Sequence, residues 1–155
     1  FDQLPRRFSR SVLIKDFPQQ LSQKILDSFR LSDASIVDVL FLPDGRVEIQ
    51  SATNQMCTLG VGDIEQVKII FHDLTAYFDG VIGCSDVVRV NYVDGIRIYF
   101  LDGDVVHLRA SGNADEIRAY AVSDTLQRAD MIAQAVISMP HGVIQRMVVG
   151  VDSSD

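Results

Sequence analysis

The stretch Ile96-Arg-Ile-Tyr-Phe-Leu-Asp-Gly-Asp-Val-Val-His-Leu108 contains the clearest structural signal in the chain. Ile96, Ile98 and Phe100 alternate with other residues, which is the period-2 pattern of a strand with one buried face. Asp102-Gly103 is a dipeptide typical of a tight hairpin turn, and an apolar pattern resumes after it. The stretch therefore predicts a β-hairpin.

Further strands are predicted on both sides of this hairpin. A second hairpin over residues 36–50 is closed by the turn Pro43-Asp44-Gly45. Residues 64–71, 87–93 and 117–122 also follow strand-like patterns. The pattern of residues 72–83 is compatible with either a short helix or a loop.

Two helices are predicted, one near each end of the chain. The first begins at Asp16, a candidate N-terminal cap, and carries an apolar stripe of Leu21, Ile25 and Phe29. The second begins at Ser123-Asp124, with Asp124 as its candidate cap. It ends near residue 139, because the following proline disfavours helical geometry before it. Strands in hairpins with flanking helices predict an α+β fold with a mostly antiparallel sheet and two helices on one face.

The length of 155 residues is sufficient for one domain with its own core. Residues 1–15 are predicted to be an exposed connecting segment, residues 16–140 the domain, and residues 141–155 a tail that frays. The chain begins at Phe1, directly in this connecting segment, so we expect it to be a piece of a longer polypeptide.

The net charge of −7 argues against binding to a nucleic-acid backbone. No apolar run reaches membrane-spanning length and no signal peptide is visible, so we expect no membrane partner and a cytoplasmic location. Cys57 and Cys84 form no motif and are interpreted as structural residues of a reducing compartment. The three histidines have no companions at metal-ligand spacing, so no metal site or cofactor is predicted in this chain.

The stretch Arg109-Ala-Ser-Gly-Asn-Ala-Asp-Glu-Ile-Arg118, between two predicted strands, suits an anion. Arg109 and Arg118 can bind phosphate oxygens bidentately, and Ser111 and Asn113 offer side-chain donors. Gly112 allows a sharp turn that brings backbone N–H groups close to the ligand. The same pattern is also typical of an ordinary inter-strand turn with surface arginines. Nothing in the chain pairs a nucleophile with a base, so no catalytic residue is predicted.

The segment Val105-Val-His-Leu-Arg-Ala-Ser-Gly-Asn113, followed by Arg118-Ala-Tyr120, resembles the C-terminal signature of the α-D-phosphohexomutases, the phosphomannomutase and phosphoglucomutase enzymes. Asp94-Gly95 and the hairpin after it match the strands that lead into that signature. The resemblance is strong over residues 94–136, fair over residues 4–29 and weak between them. Residues 35–90 are longer than the connection expected for the family.

The resemblance implies one domain of an intramolecular phosphotransferase. In the complete four-domain enzymes the fourth domain grips the phosphate of a hexose phosphate, while phosphoryl transfer and a magnesium site belong to other domains. The implied fold resembles that of the TATA-binding protein, here with extra β elements in the middle of the chain. The implied phosphate ligands are Arg109, Ser111, Gly112, Asn113 and Arg118, and the fragment alone is expected to be inactive.

This chain departs from the family's loop at several positions. Ala110 replaces a proline, and Ala114-Asp115 replaces Glu-Pro, which predicts a less rigid loop. Asp115 and Glu116 add negative charge, which weakens phosphate binding unless both carboxylates point away or pair with an arginine. A non-catalytic module that senses phosphosugars or binds a partner is therefore the alternative interpretation.

Overall fold

A computed structural model of the chain describes residues 7–52 and 61–153. The described strands are β1 (Phe8–Lys15), β2 (Ile36–Phe41), β3 (Val47–Ser51), β4 (Val87–Asn91), β5 (Ile96–Phe100), β6 (Val105–Ala110) and β7 (Glu116–Ser123). The described helices are α1 (Gln19–Asp27), α2 (Val61–Ile82), α3 (Leu126–Ile137) and α4 (Val143–Ser153).

All seven strands form one antiparallel sheet in the order β1-β7-β6-β5-β4-β2-β3. The hairpin of β5 and β6 lies at its centre, with Ile98 opposite Val106, and confirms the prediction made from residues 96–108. The hairpin of β2 and β3 is also confirmed. The predicted α+β class is therefore correct.

The helices cover one face of the sheet and bury a single core. Ile98 and Leu108 from the sheet are fully buried, as are Ile25 of α1, Leu74 of α2 and Ile132 of α3. Removal of these apolar side chains from water is the main driving force for this arrangement. The opposite face of the sheet carries polar and aromatic side chains and is called the open face below. None of the described helices has both the length and the apolarity needed to cross a bilayer.

The sequence interpretation of residues 64–71 as a strand is wrong, because these residues belong to α2. The buried side chains of α2 are spaced by one, three or four positions, which is helical periodicity. They are Val67, Ile70, Phe71, Leu74 and Phe78. The ambiguous segment 72–83 continues the same helix, so the described chain contains four helices and not two.

Both ends of the chain also differ from the prediction. Residues 1–15 were expected to be an exposed connection, but β1 pairs with β7 over its whole length. The tail over residues 141–155 was expected to fray, but α4 buries Val143, Ile144 and Met147 in the core. The folded unit therefore extends beyond residues 16–140 on both sides. Residues 1–6, like Cys57, lie outside the described chain.

The helix caps are not those predicted. Asp16 has a φ of 57° and lies outside α1, which has no cap from its own flanking side chain. The carboxylate of Asp115 instead accepts a hydrogen bond from the backbone N–H of Gln19 at 3.3 Å. In α3 the cap is Thr125, whose hydroxyl accepts from the N–H of Arg128 at 3.0 Å, and not Asp124.

Candidate functional site

The five predicted phosphate ligands lie together at one end of the β6–β7 hairpin. Arg109 of β6 and Arg118 of β7 are directly opposite each other in the antiparallel register, so both side chains lie on the open face. Ser111, Gly112 and Asn113 form the turn between the two strands. The side-chain amide of Asn113 has no hydrogen-bond partner among the described residues and can donate to a ligand. The structure therefore brings the whole predicted set to one place.

Each of the two arginines already contacts a carboxylate. The Nε of Arg109 lies 2.9 Å from Oδ2 of Asp94, but it makes no hydrogen bond within the described chain, so this contact is electrostatic and poorly directed. The Nη2 and Nε of Arg118 donate to Oε1 of Glu116 at 2.7 and 3.1 Å. The arginine side chains are 40% and 46% exposed. A bound anion would compete with these carboxylates for both guanidinium groups.

Each of the two acidic residues of the loop has a partner in the structure. The carboxylate of Asp115 caps α1 at Gln19, and its backbone carbonyl accepts from the N–H of Phe17 at 2.8 Å. Glu116 is paired with Arg118. One carboxylate is therefore turned toward α1 and the other is neutralised by an arginine. These are the conditions under which the extra negative charge is compatible with phosphate binding.

Hydrogen bonds hold the loop in place, although Ala110 and Asp115 stand where the resembled family has prolines. The carbonyl of Ala114 accepts from Nε2 of Gln19 at 3.3 Å and from the N–H of Glu116 at 3.0 Å. The hydroxyl of Ser111 accepts from the N–H of Asn113 at 3.4 Å. The residues that begin α1 thus anchor the loop from one side.

Gly112 lies in the turn between β6 and β7 but does not adopt a backbone conformation reserved for glycine. Its φ lies outside the left-handed region, and a Cβ added to it would meet no atom within 4 Å. We expect Gly112→Ala to change the free energy of unfolding by less than about 0.5 kcal/mol, as is usual for exposed sites, in urea denaturation followed by circular dichroism. A loss above about 1 kcal/mol would mean that the loop needs a backbone conformation reserved for glycine.

The open face carries a depression of about 500 Å³ beside Arg109, called the open-face basin below. The cross-strand pairs that form its floor are Arg97 with His107 and His107 with Tyr120. The residues that line it are Ser9, Asp94, Arg97, Tyr99, Val105, His107, Arg109, Tyr120 and Val122. The basin therefore extends the site from the turn onto the sheet.

His107 is fixed in the basin by its neighbours. Its Nε2 donates to the backbone carbonyl of Asp94, and its ring lies 5.7 Å from that of Tyr120. Burial, together with the charges of Arg97 and Arg109, lowers the pKa of His107 despite its hydrogen bond to that carbonyl. His107 is therefore neutral at pH 7, and the positive charge of the basin comes from arginines.

A second depression of about 470 Å³ lies between the β2–β3 hairpin and α2. Its lining is mostly apolar, with Phe41, Phe71 and Val87 among its residues and Lys68 and Asp86 as its charged ones. It contains none of the predicted ligands, and one cation beside one carboxylate is a poor match for an anion. The open-face basin is the better candidate site because two guanidinium groups, those of Arg97 and Arg109, line it.

The described residues contain no obvious catalytic group. Cys84 is buried, and burial raises the pKa of its thiol to about 12, so the reactive thiolate does not form near neutral pH. Within residues 7–52 and 61–153, no group of three or more His, Cys, Asp or Glu side chains could hold a metal ion.

Sequence reasoning did not select Arg97 or Asp94 as site residues. Both lie before the β5–β6 hairpin turn, more than ten residues from the loop in sequence, and only strand pairing brings them beside Arg109. The signal that could have revealed them is the alternation in β5, which places Arg97 on the face opposite the buried Ile96 and Ile98.

Comparisons with known proteins identify a domain family that spans this part of the chain. Residues 53–139, more than half of the chain, match the family model for the phosphoglucomutase/phosphomannomutase C-terminal domain. A segment of 52 residues is 38% identical to a phosphomannomutase from Salmonella muenchen. That segment is 34% of this chain and only 11% of the relative. The family match includes α2, β4 to β7 and α3, and thus the whole candidate loop.

Proposed function

Because this chain belongs to the phosphoglucomutase/phosphomannomutase family and contains its C-terminal domain, we propose that it binds the phosphate group of a hexose phosphate. The family is one of phosphohexomutase domains and implies an isomerase that transfers a phosphoryl group within one substrate. In the proposed function this chain holds the substrate by its phosphate while other domains of the same polypeptide carry out the transfer.

One observation carries the proposal. Arg109 and Arg118 lie opposite each other on neighbouring strands, next to the exposed turn that carries Ser111, Gly112 and Asn113. Two guanidinium groups with adjacent hydroxyl, amide and backbone donors match the oxygens of a phosphate monoester. The neutralised or diverted carboxylates of the loop support the same assignment.

The proposed role is positioning and not bond making. A site that fixes a phosphate lowers the entropic cost of bringing the rest of the substrate to reactive groups elsewhere. The proposal assigns the magnesium ion and the phosphoryl-transferring group to other domains, and assigns a cytoplasmic location to the whole protein. The isolated chain is then expected to bind a hexose phosphate without converting it.

The alternative, a non-catalytic module that senses phosphosugars, shares the same binding site. An activity assay of the parent polypeptide distinguishes the two proposals. The polypeptide should interconvert glucose 1-phosphate and glucose 6-phosphate, or the mannose phosphates, only if the enzyme proposal is correct. Ala110 and Ala114, where the family has Pro and Glu, keep this alternative open.

The isolated chain should bind glucose 6-phosphate or mannose 1-phosphate with a Kd on the order of millimolar. Charge-assisted hydrogen bonds contribute roughly 1.5–3 kcal/mol each, and ordering and desolvation remove much of that gain. A titration followed by ¹H–¹⁵N NMR should shift the amide signals of residues 109–118. The absence of shifts at high ligand concentration would contradict the proposed site.

Arg109→Gln should weaken this binding by about tenfold or more, since it removes a charged donor. The matched control is Arg10→Gln, which changes the charge equally. Arg10 lies on the helix-covered side of β1, where it faces Asp130 at 3.7 Å. Equal loss of binding in both variants would indicate general attraction by net charge and would contradict a specific site.

A further inference from the structure

The arginines on the open face differ in how they are paired. Arg118 is held by two hydrogen bonds to Glu116, and Arg109 lies against Asp94. Arg97 is exposed and forms no ion pair or side-chain hydrogen bond with any residue in the described parts of the chain. A new anion can therefore bind Arg97 without breaking an existing contact.

Arg89, opposite Tyr99 on the neighbouring strand β4, is not available in the same way. Arg89 donates from Nε to Asp38 at 2.9 Å and lies over the ring of Tyr99, 4.9 Å from its centroid. The side chain of Asp38 is only 13% exposed, so this pair is partly withdrawn from water. Arg89 is therefore already occupied, and Arg97 is the unpaired arginine among the residues that line the basin.

Arg97 is close enough to Arg109 for both to contact one ligand. Arg97 lies opposite His107 in the β5–β6 register, and Arg109 is two residues further along β6 on the same face. Such diagonal cross-strand neighbours are separated by roughly 7–8 Å, a gap that two arginine side chains span easily. Both residues line the open-face basin, whereas Arg118 does not.

We propose that Arg97 is a phosphate-binding residue outside the loop, and that the phosphate oxygens lie in the open-face basin between Arg97 and Arg109. This inference rests on the proposed function and refines the position of its ligand. Asp94 is then a resident carboxylate that occupies Arg109 when no phosphate is bound. The rings of Tyr99 and Tyr120 flank the position where the carbon skeleton of the ligand leaves the phosphate.

The inference is tested on the whole chain by titration with inorganic phosphate and with glucose 6-phosphate, followed by ¹H–¹⁵N NMR. Arg97→Gln should weaken the binding of both ligands by about tenfold, as Arg109→Gln should. Asp94→Asn should tighten binding by a few fold, because it removes the carboxylate that competes for Arg109. Arg97 is exposed and unpaired, so its variant should keep the melting temperature of the parent chain.

Arg10→Gln again serves as the charge-matched control. If Arg97→Gln binds as well as Arg10→Gln while Arg109→Gln and Arg118→Gln lose affinity, the inference is overturned and the proposed function stands. Weaker binding by Asp94→Asn would also overturn it, because the carboxylate would then support the ligand. If the unaltered chain binds neither phosphate nor glucose 6-phosphate, both the inference and the proposed function are overturned.

Discussion

Gly95→Ala should destabilise the folded chain by about 3–5 kcal/mol, because it puts a side chain on a left-handed backbone and makes the added Cβ overlap the neighbouring strand. Gly95 has a φ of 66°, which side chains other than glycine rarely adopt. An added Cβ would lie 2.1 Å from the backbone carbonyl oxygen of Leu108. Neither atom can move without separating β5 from β6, because Ile96 pairs with Leu108 at this point. Urea denaturation followed by circular dichroism measures the loss.

Gly45→Ala is the matched control for this substitution. Gly45 has a φ of 89°, but its added Cβ would meet nothing within 4 Å. Gly45→Ala has the penalty of a left-handed backbone but no overlap, so we expect it to lower the free energy of unfolding by about 1–2 kcal/mol. Equal losses in the two variants would show that the close approach of Gly95 to Leu108 contributes nothing to stability.

Gly95 also links the fold to the candidate site. Asp94, the preceding residue, contacts Arg109 through its carboxylate and His107 through its carbonyl. A displaced turn at Asp94-Gly95 would therefore alter the basin as well as the sheet. Hence Gly95→Ala cannot serve as a binding test, and exposed substitutions such as Arg97→Gln are the informative ones.

The hairpins were predictable from sequence because the turn residues and the alternating apolar pattern indicate the same structure. In β5 and β6, buried side chains alternate with less buried ones on both sides of Asp102-Gly103, so two independent signals specify one structure. The loop over residues 109–118 was predictable for the same reason, since its position follows from the hairpin before it. The structure places the five residues at one end of this hairpin, and their binding of phosphate stays a prediction.

The sequence did not predict α2 and β1, and the physical reason differs between these two elements. In α2 a short window over residues 64–71 contains apolar residues at both helical and strand spacings, and only the continuation to Leu74 and Phe78 identifies the helix. In β1 most side chains are exposed, so this edge strand has little hydrophobic pattern and is defined by its pairing with β7. Edge strands are therefore hard to recognise without their partner.

The side-chain partners in the site depend on contacts between distant parts of the chain. Asp94 meets Arg109 across a hairpin, and Asp115 caps a helix that begins at Gln19. Local spacing predicts neither contact. The sequence could indicate that two extra carboxylates in the loop matter, but only the fold shows that Asp115 turns toward α1 and that Glu116 pairs with Arg118.

Arg128→Met should destabilise the chain by about 3 kcal/mol, because it leaves a buried carboxylate without its cation. The side chain of Asp104 is 8% exposed and lies 3.3 Å from Nε of Arg128. Ser123 donates to the other carboxylate oxygen at 2.6 Å, and this hydrogen bond alone does not neutralise the charge. Thermal and urea denaturation measure the loss.

The surface pair of Arg10 and Asp130 supplies the control for Arg128→Met. Its atoms are 3.7 Å apart and both side chains are about half exposed, so Arg10→Met should cost no more than about 1 kcal/mol. The double variant Asp104→Asn with Arg128→Met should recover part of the loss, since it removes the uncompensated charge and keeps a hydrogen-bond acceptor for Ser123. If Arg128→Met costs as little as Arg10→Met, water reaches Asp104 in the folded chain and the pair is not a buried one.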